Sequence, residues 1–229
     1  MRRWAWLLPL LGAAACSNLQ ESQGGVVALE IQFPENRNLE IGEQVQLSAT
    51  ALNADGNPVD AEISWRASTP ALSVDPTGLL TGVSVGTSDV QAAVGSLASE
   101  RVSFNVIAKA DTLSIVGDSV VVVSLAADPP ATAQLPVRLA SFITAAPLTN
   151  RPVIFEIVQP LPGATPVVQL TGGVQIDTLN TGGEGTATGG LSRVVGQVAP
   201  DTAIVQVRAN RSRGEPVPGS GQRFIILFQ

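Results

Sequence analysis

The sequence predicts an all-β protein built as two tandem antiparallel β-sandwiches behind a cleaved signal peptide. Three observations carry that expectation. Apolar and polar residues alternate with a period of two over many short runs. Turn residues interrupt the runs at close spacing, with 22 Gly and 16 Pro spread along 229 residues. No stretch beyond the first dozen residues repeats its apolar positions at the helical period of 3.6. The chain is 45% hydrophobic and 14% charged, enough apolar material for two packed cores at the usual domain size.

The opening residues, MRRWAWLLPLLGAAAC, follow the order of a secretory signal. Arg2 and Arg3 supply positive charge, residues 4–11 an apolar run, and residues 12–15 small side chains. A run of eight is too short to cross a bilayer, which takes about 20 apolar residues. Cys16, the only cysteine, directly follows the small residues. Here the chain resembles a bacterial lipoprotein signal, which implies cleavage after residue 15 and lipidation of Cys16. Ala14 and Ala15 match that pattern; Ala13 departs from it, since a leucine is commoner there. Ordinary signal cleavage is the alternative, and it would leave an exposed free thiol in an oxidising compartment. Residues 16–25, the cysteine and a polar SNLQESQGG stretch, read as a flexible tether. Ser17 after the cysteine fits sorting to the outer membrane.

In the first domain, residues 26–108, Val27, Leu29, Ile31 and Phe33 alternate with polar or small neighbours. The pattern returns at Val45, Leu47, Ala49 and Ala51, and again at Ile63, Trp65 and Ala67. Further strands are expected at residues 72–74, 79–83, 87–94 and 102–107. The stretches LEIGEQVQLSATALNADGNPV, ISWRASTPALSVDPTGLLTGVSVGTSDVQAAV and VSFNV resemble the bacterial immunoglobulin-like group 2 domain. The resemblance implies a sandwich without an intersheet disulfide, with Trp65 on a central strand as its core anchor.

Residues 107–110 read as a short linker, and residues 109–229 as a second domain. Strands are expected at 112–116, 120–125, 134–140, 152–158, 167–170, 174–179, 185–191, 203–208 and 223–228. PVRLASF, LTNRPVIFEIV, DTLNTGGEGTATGGL and TAIVQVRAN resemble the invasin-like, group 1 bacterial immunoglobulin-like domain, with Thr181, Gly185 and Ala187 in its middle motif. That match is looser, and it carries a proline-rich insert at residues 159–166.

Composition weighs against catalysis. There is no His, the commonest general base and metal ligand. Lys109 is the only lysine and lies in the linker. No cofactor is expected and no enzyme activity. Net charge is −6, and it is uneven: residues 17–108 hold 11 acids against 3 arginines, residues 109–229 hold 8 of each sign. An acidic first half disfavours nucleic acid, whose phosphates need clustered cations.

Two clusters are weighed as sites. Asn53, Asp55 and Asn57 have the one-three-five spacing of oxygen ligands in calcium loops, but Pro58 and Ser64 stand where Gly and Glu belong. The competing account is a solvated turn. Arg208, Arg211 and Arg213 would suit an acidic partner or a lipid headgroup; the competing account is a solvated loop. A sugar platform is disfavoured, with one Trp and no Tyr after the signal. The expected protein is a lipid-anchored, non-enzymatic envelope protein serving adhesion, ligand binding or spacing, with a membrane partner through its lipid and a protein or surface-polymer partner beyond. The alternative is an accessory subunit of an envelope secretion or surface-polymer assembly.

Overall fold

A computed structural model describes residues 25–126, 130–144, 146–163 and 165–229. The signal, Cys16 and most of the tether lie outside the described residues. Every named element is a strand. The first domain holds β1 (Ala28–Gln32), β2 (Asn38–Glu40), β3 (Gln44–Gln46), β4 (Ser48–Leu52), β5 (Pro58–Val59), β6 (Ser64–Ala67), β7 (Leu72–Val74), β8 (Leu79–Gly82), β9 (Gly86–Val94), β10 (Leu97–Ala98) and β11 (Val102–Ile107). The second holds β12 (Thr112–Ile115), β13 (Val120–Val123), β14 (Ala133–Ala140), β15 (Pro152–Gln159), β16 (Val168–Leu170), β17 (Ile176–Asn180), β18 (Thr186–Arg193), β19 (Thr202–Arg208) and β20 (Arg223–Phe228).

In the first domain one sheet runs β10-β9-β11-β2, with β6 on the free flank of β9. Facing it are β1-β4-β5 and β3-β8-β7, which share a single run of chain bent at the buried Leu47 between β3 and β4. Leu39, Leu47, Leu80, Val90, Phe104 and Val106 are enclosed between the faces. The alternation on β11 shows why: Val102, Phe104 and Val106 point inward while Ser103 and Asn105 meet water. In the second domain a four-stranded sheet, β12-β14-β18-β16, packs on a five-stranded one, β13-β20-β19-β15-β17. Its core centres on Leu135, Val137, Phe155, Ile157, Leu191, Val205 and Phe224. Gly189 serves that packing directly, since a Cβ there would stand 2.7 Å from the Phe155 ring.

The sheets are not wholly antiparallel. β2 runs parallel to β11, and β13 runs parallel to β20, so each domain has the same outermost parallel strand on its C-terminal strand. Trp65 differs from the expected central anchor. β6 is a flanking strand that pairs with β9 alone, so its inward side chain reaches only the rim of the core. The indole packs against the enclosed cluster, is half-buried, and lies close over Gly78. Phe104, on a strand paired on both sides, takes the central place.

Candidate functional site: a charged junction between the domains

Each domain keeps its own apolar core, and among the described residues no core cluster spans both. What joins them is polar. Glu40 ends β2 and is followed by Ile41 and Gly42, where the chain turns back toward β3. Its neighbour Leu39 points into the core, so alternation aims Glu40 the other way, toward the second domain. There the carboxylate is completely shielded from water.

A buried carboxylate needs partners, because its lost hydration is worth several kcal/mol. The second domain supplies them. Arg151, just before β15, places Nη2 in ion-pair contact with Glu40 Oε1. Arg211, in the turn after β19, brings Nε to 3.8 Å from Oε2. The backbone N–H of Ala110 donates to the same oxygen at 3.1 Å. Both arginines also clamp the connecting segment: Arg151 Nη1 donates to Ala108 O at 3.2 Å and Arg211 Nε to Ala110 O at 3.2 Å. Burial pushes the Arg151 guanidinium down from its usual pKa.

A second row of contacts flanks the first. Asn36 Nδ2 donates to Ser212 O at 2.7 Å, and Arg213 Nη1 to Asn36 O at 2.9 Å. The Ser212 hydroxyl donates to Glu43 Oε2. The short linker at residues 107–110 is held in place by these contacts. Ile41 N donates to Ile107 O at 3.1 Å, Ala110 is buried, and Ala108 packs against the core of the second domain. Shallow clefts lie on either flank: one of about 260 Å³ beside Glu43, Lys109, Arg211 and Arg213, and one of about 320 Å³ beside Asn38, Asn105, Leu148 and Arg151.

The arginine cluster of the sequence is divided by the structure. Arg211 and Arg213 face the first domain, whereas Arg208 pairs with Glu156 at 2.7 Å on the outer face of the five-stranded sheet. Asn53, Asp55 and Asn57 form a tight turn. Asn53 Oδ1 accepts the backbone N–H groups of Asp55 at 3.0 Å and Asn57 at 2.9 Å, so this oxygen serves the turn. Among the described residues no three His, Cys, Asp or Glu side chains come together as a metal site. Cys16 lies outside the described residues. Sequence reasoning missed Glu40 and Arg151. The available signal was slight: an acid, Glu40, set between the apolar Leu39 and Ile41.

The chain matches no protein-family model and no curated protein. Solved structures do align over most of the chain, at low identity. The adhesin InvE of Yersinia pseudotuberculosis is 17% identical with a TM-score of 0.41, over 85% of this chain and 57% of that one. The Escherichia coli adhesin FdeC is 15% identical with a TM-score of 0.46, over 86% of this chain and 63% of that one. Domains 4 and 5 of the S-layer protein SbsC are 14% identical with a TM-score of 0.33, over 89% of this chain and 98% of that one. The chain thus spans less than two thirds of either adhesin structure.

Proposed function

We propose that this protein is a lipid-anchored, non-enzymatic arm of the bacterial cell envelope, carrying two immunoglobulin-like domains in fixed alignment for adhesion or spacing at the outer membrane. The observation that carries the reading is the junction. A carboxylate shut away from water between two domains holds only while its arginines stay in place, so the two sandwiches act as one rod. A hinged carrier or a two-domain enzyme cleft calls for the opposite: a loose linker and an open polar gap. The signal-like opening and Cys16 support anchoring, and the absence of His supports work by contact. Anchored at residue 16, the arm presents its second domain away from the membrane, and its partner is a protein or polymer met there.

Membrane partition and acyl labelling of wild type and Cys16→Ser test the anchor. Wild type is expected in the membrane fraction with label, and the variant is expected to lose both. Equal partition without label on either protein overturns the anchoring.

A further inference from the structure

The two domains treat the same position differently. β2 and β13 are equivalent outermost strands, each parallel to the last strand of its domain. On β2, Arg37 O and the Ile41 N–H face β11, so Asn38 and Glu40 turn their backbone groups outward. Both outward N–H groups are capped from within the chain: Asn38 N donates to Asn36 Oδ1 at 3.0 Å and Glu40 N to Glu43 Oε2 at 2.8 Å. The strand is short and polar, and the second domain packs beside it. This edge is closed to pairing.

On β13, among the described residues, no hydrogen bond closes the edge. Ser119 O and Val123 O accept from Ile225 N and Gln229 N, which leaves the N–H and C=O of Val120 and Val122 on the outer side. Among the described residues no partner meets them, and no strand lies beyond. The edge is four consecutive valines, flanked by Ser119 and Ser124 and free of charge. Val120 is 46% and Val122 59% exposed, and Ile225, opposite Val120 on β20, is 38% exposed. The fold does not require this composition, since β2 fills the same role with Asn, Leu and Glu.

We propose that β13 is a pairing edge for a second copy of this chain, joined antiparallel so that two five-stranded sheets become one. An uncharged edge is compatible with itself about a two-fold axis, and the exposed valines and Ile225 of the two copies then cover one another. Charge selects the direction. Parallel pairing would set two acidic first domains side by side, each segment 17–108 carrying 11 acids against 3 arginines. Antiparallel pairing sends them to opposite ends. The inference rests on the anchored-arm reading for its setting: opposed arms join facing surfaces.

Full-length protein in detergent is examined by sedimentation equilibrium, as wild type and as Val120→Lys/Val122→Lys. Both substitutions fall on exposed side chains, and circular dichroism and melting check that the variant folds. The wild type is expected at twice the chain mass and the variant at the mass of one chain. A monomeric wild type, or a variant that pairs as well as wild type, overturns the proposal; association through the lipid end survives in the variant and gives the second result. Direction is read by disulfide formation. The outward groups pair Val120 of one copy with Val122 of the other, so Val120→Cys mixed with Val122→Cys is expected to cross-link, and like-with-like cross-links for each alone overturn the antiparallel arrangement. Membrane partition is measured on the same samples. A paired protein that does not partition defeats the anchor alone, and a partitioned monomer defeats the pairing alone.

Discussion

Replacing Arg151 with Met keeps an aliphatic stem and removes the guanidinium, together with its hydrogen bond to Ala108 O. Glu40 Oε1 then loses its ion-pair partner, while Oε2 keeps the Ala110 N–H at 3.1 Å and Arg211 at 3.8 Å. Breaking one side of a buried pair typically costs about 3–5 kcal/mol, because the remaining charge stays out of water. Here the carboxylate has an escape. If the junction opens, Glu40 regains its hydration without unfolding either core, as each domain has a core of its own. The visible loss is therefore capped by the strength of the junction, and the low end, about 3 kcal/mol, is expected. The assay is a double-mutant cycle with Glu40→Gln, read by urea unfolding and by interdomain motion in scattering. Arg151→Met is expected to be the worst of the three variants, with Glu40→Gln/Arg151→Met recovering most of the loss. A single substitution costing less than about 1 kcal/mol, the worth of an exposed pair, would refute the reasoning.

Other perturbations follow from single contacts. Gly189→Ala should destabilise the second domain by about 1–3 kcal/mol, the usual cost of overpacking, since the new methyl meets the Phe155 ring at 2.7 Å; unchanged melting would show the strands give way. Phe104→Ala should cost about 3–5 kcal/mol and Trp65→Ala clearly less, because only the first is enclosed; equal losses in denaturant titrations would place the indole in the core after all. Asp75 is held below its ordinary value of 3.8 by the Thr77 hydroxyl and then by the Leu79 N–H. A depressed carboxyl lends stability above its ordinary value and loses it as pH falls through the lowered one. The melting difference between wild type and Asp75→Ala should therefore shrink on acidification, and a difference that grows would contradict the turn's geometry.

The strands were legible where burial on one face forces alternation. β11, β14, β15 and β19 lie where period-two reading puts them, because each turns one face to a core and the other to water. β2, β5 and β10 escaped that reading. They are two or three residues long, too short to show a period, and β2 exists because β11 offers it an edge. Trp65 is expected as the core anchor on a central strand, but its strand pairs on one side only, and which strand flanks which is a matter of topology. The junction was the least legible. Arg211 and Arg213 drew attention as a cluster, yet their partners Glu40 and Asn36 lie more than 170 residues away. Sequence proximity grouped Arg208 with them, and the sheet sends it to Glu156 instead.

The claim on which the account rests is that the two domains move as one body. Residual dipolar couplings from backbone amides of the full chain, weakly aligned, measure this directly. The account predicts that couplings from β9 and β11 and those from β14, β15 and β19 fit one alignment tensor with the orientation of the structure. Two tensors of different magnitude would mean that the domains reorient independently and that the Glu40 junction does not hold them.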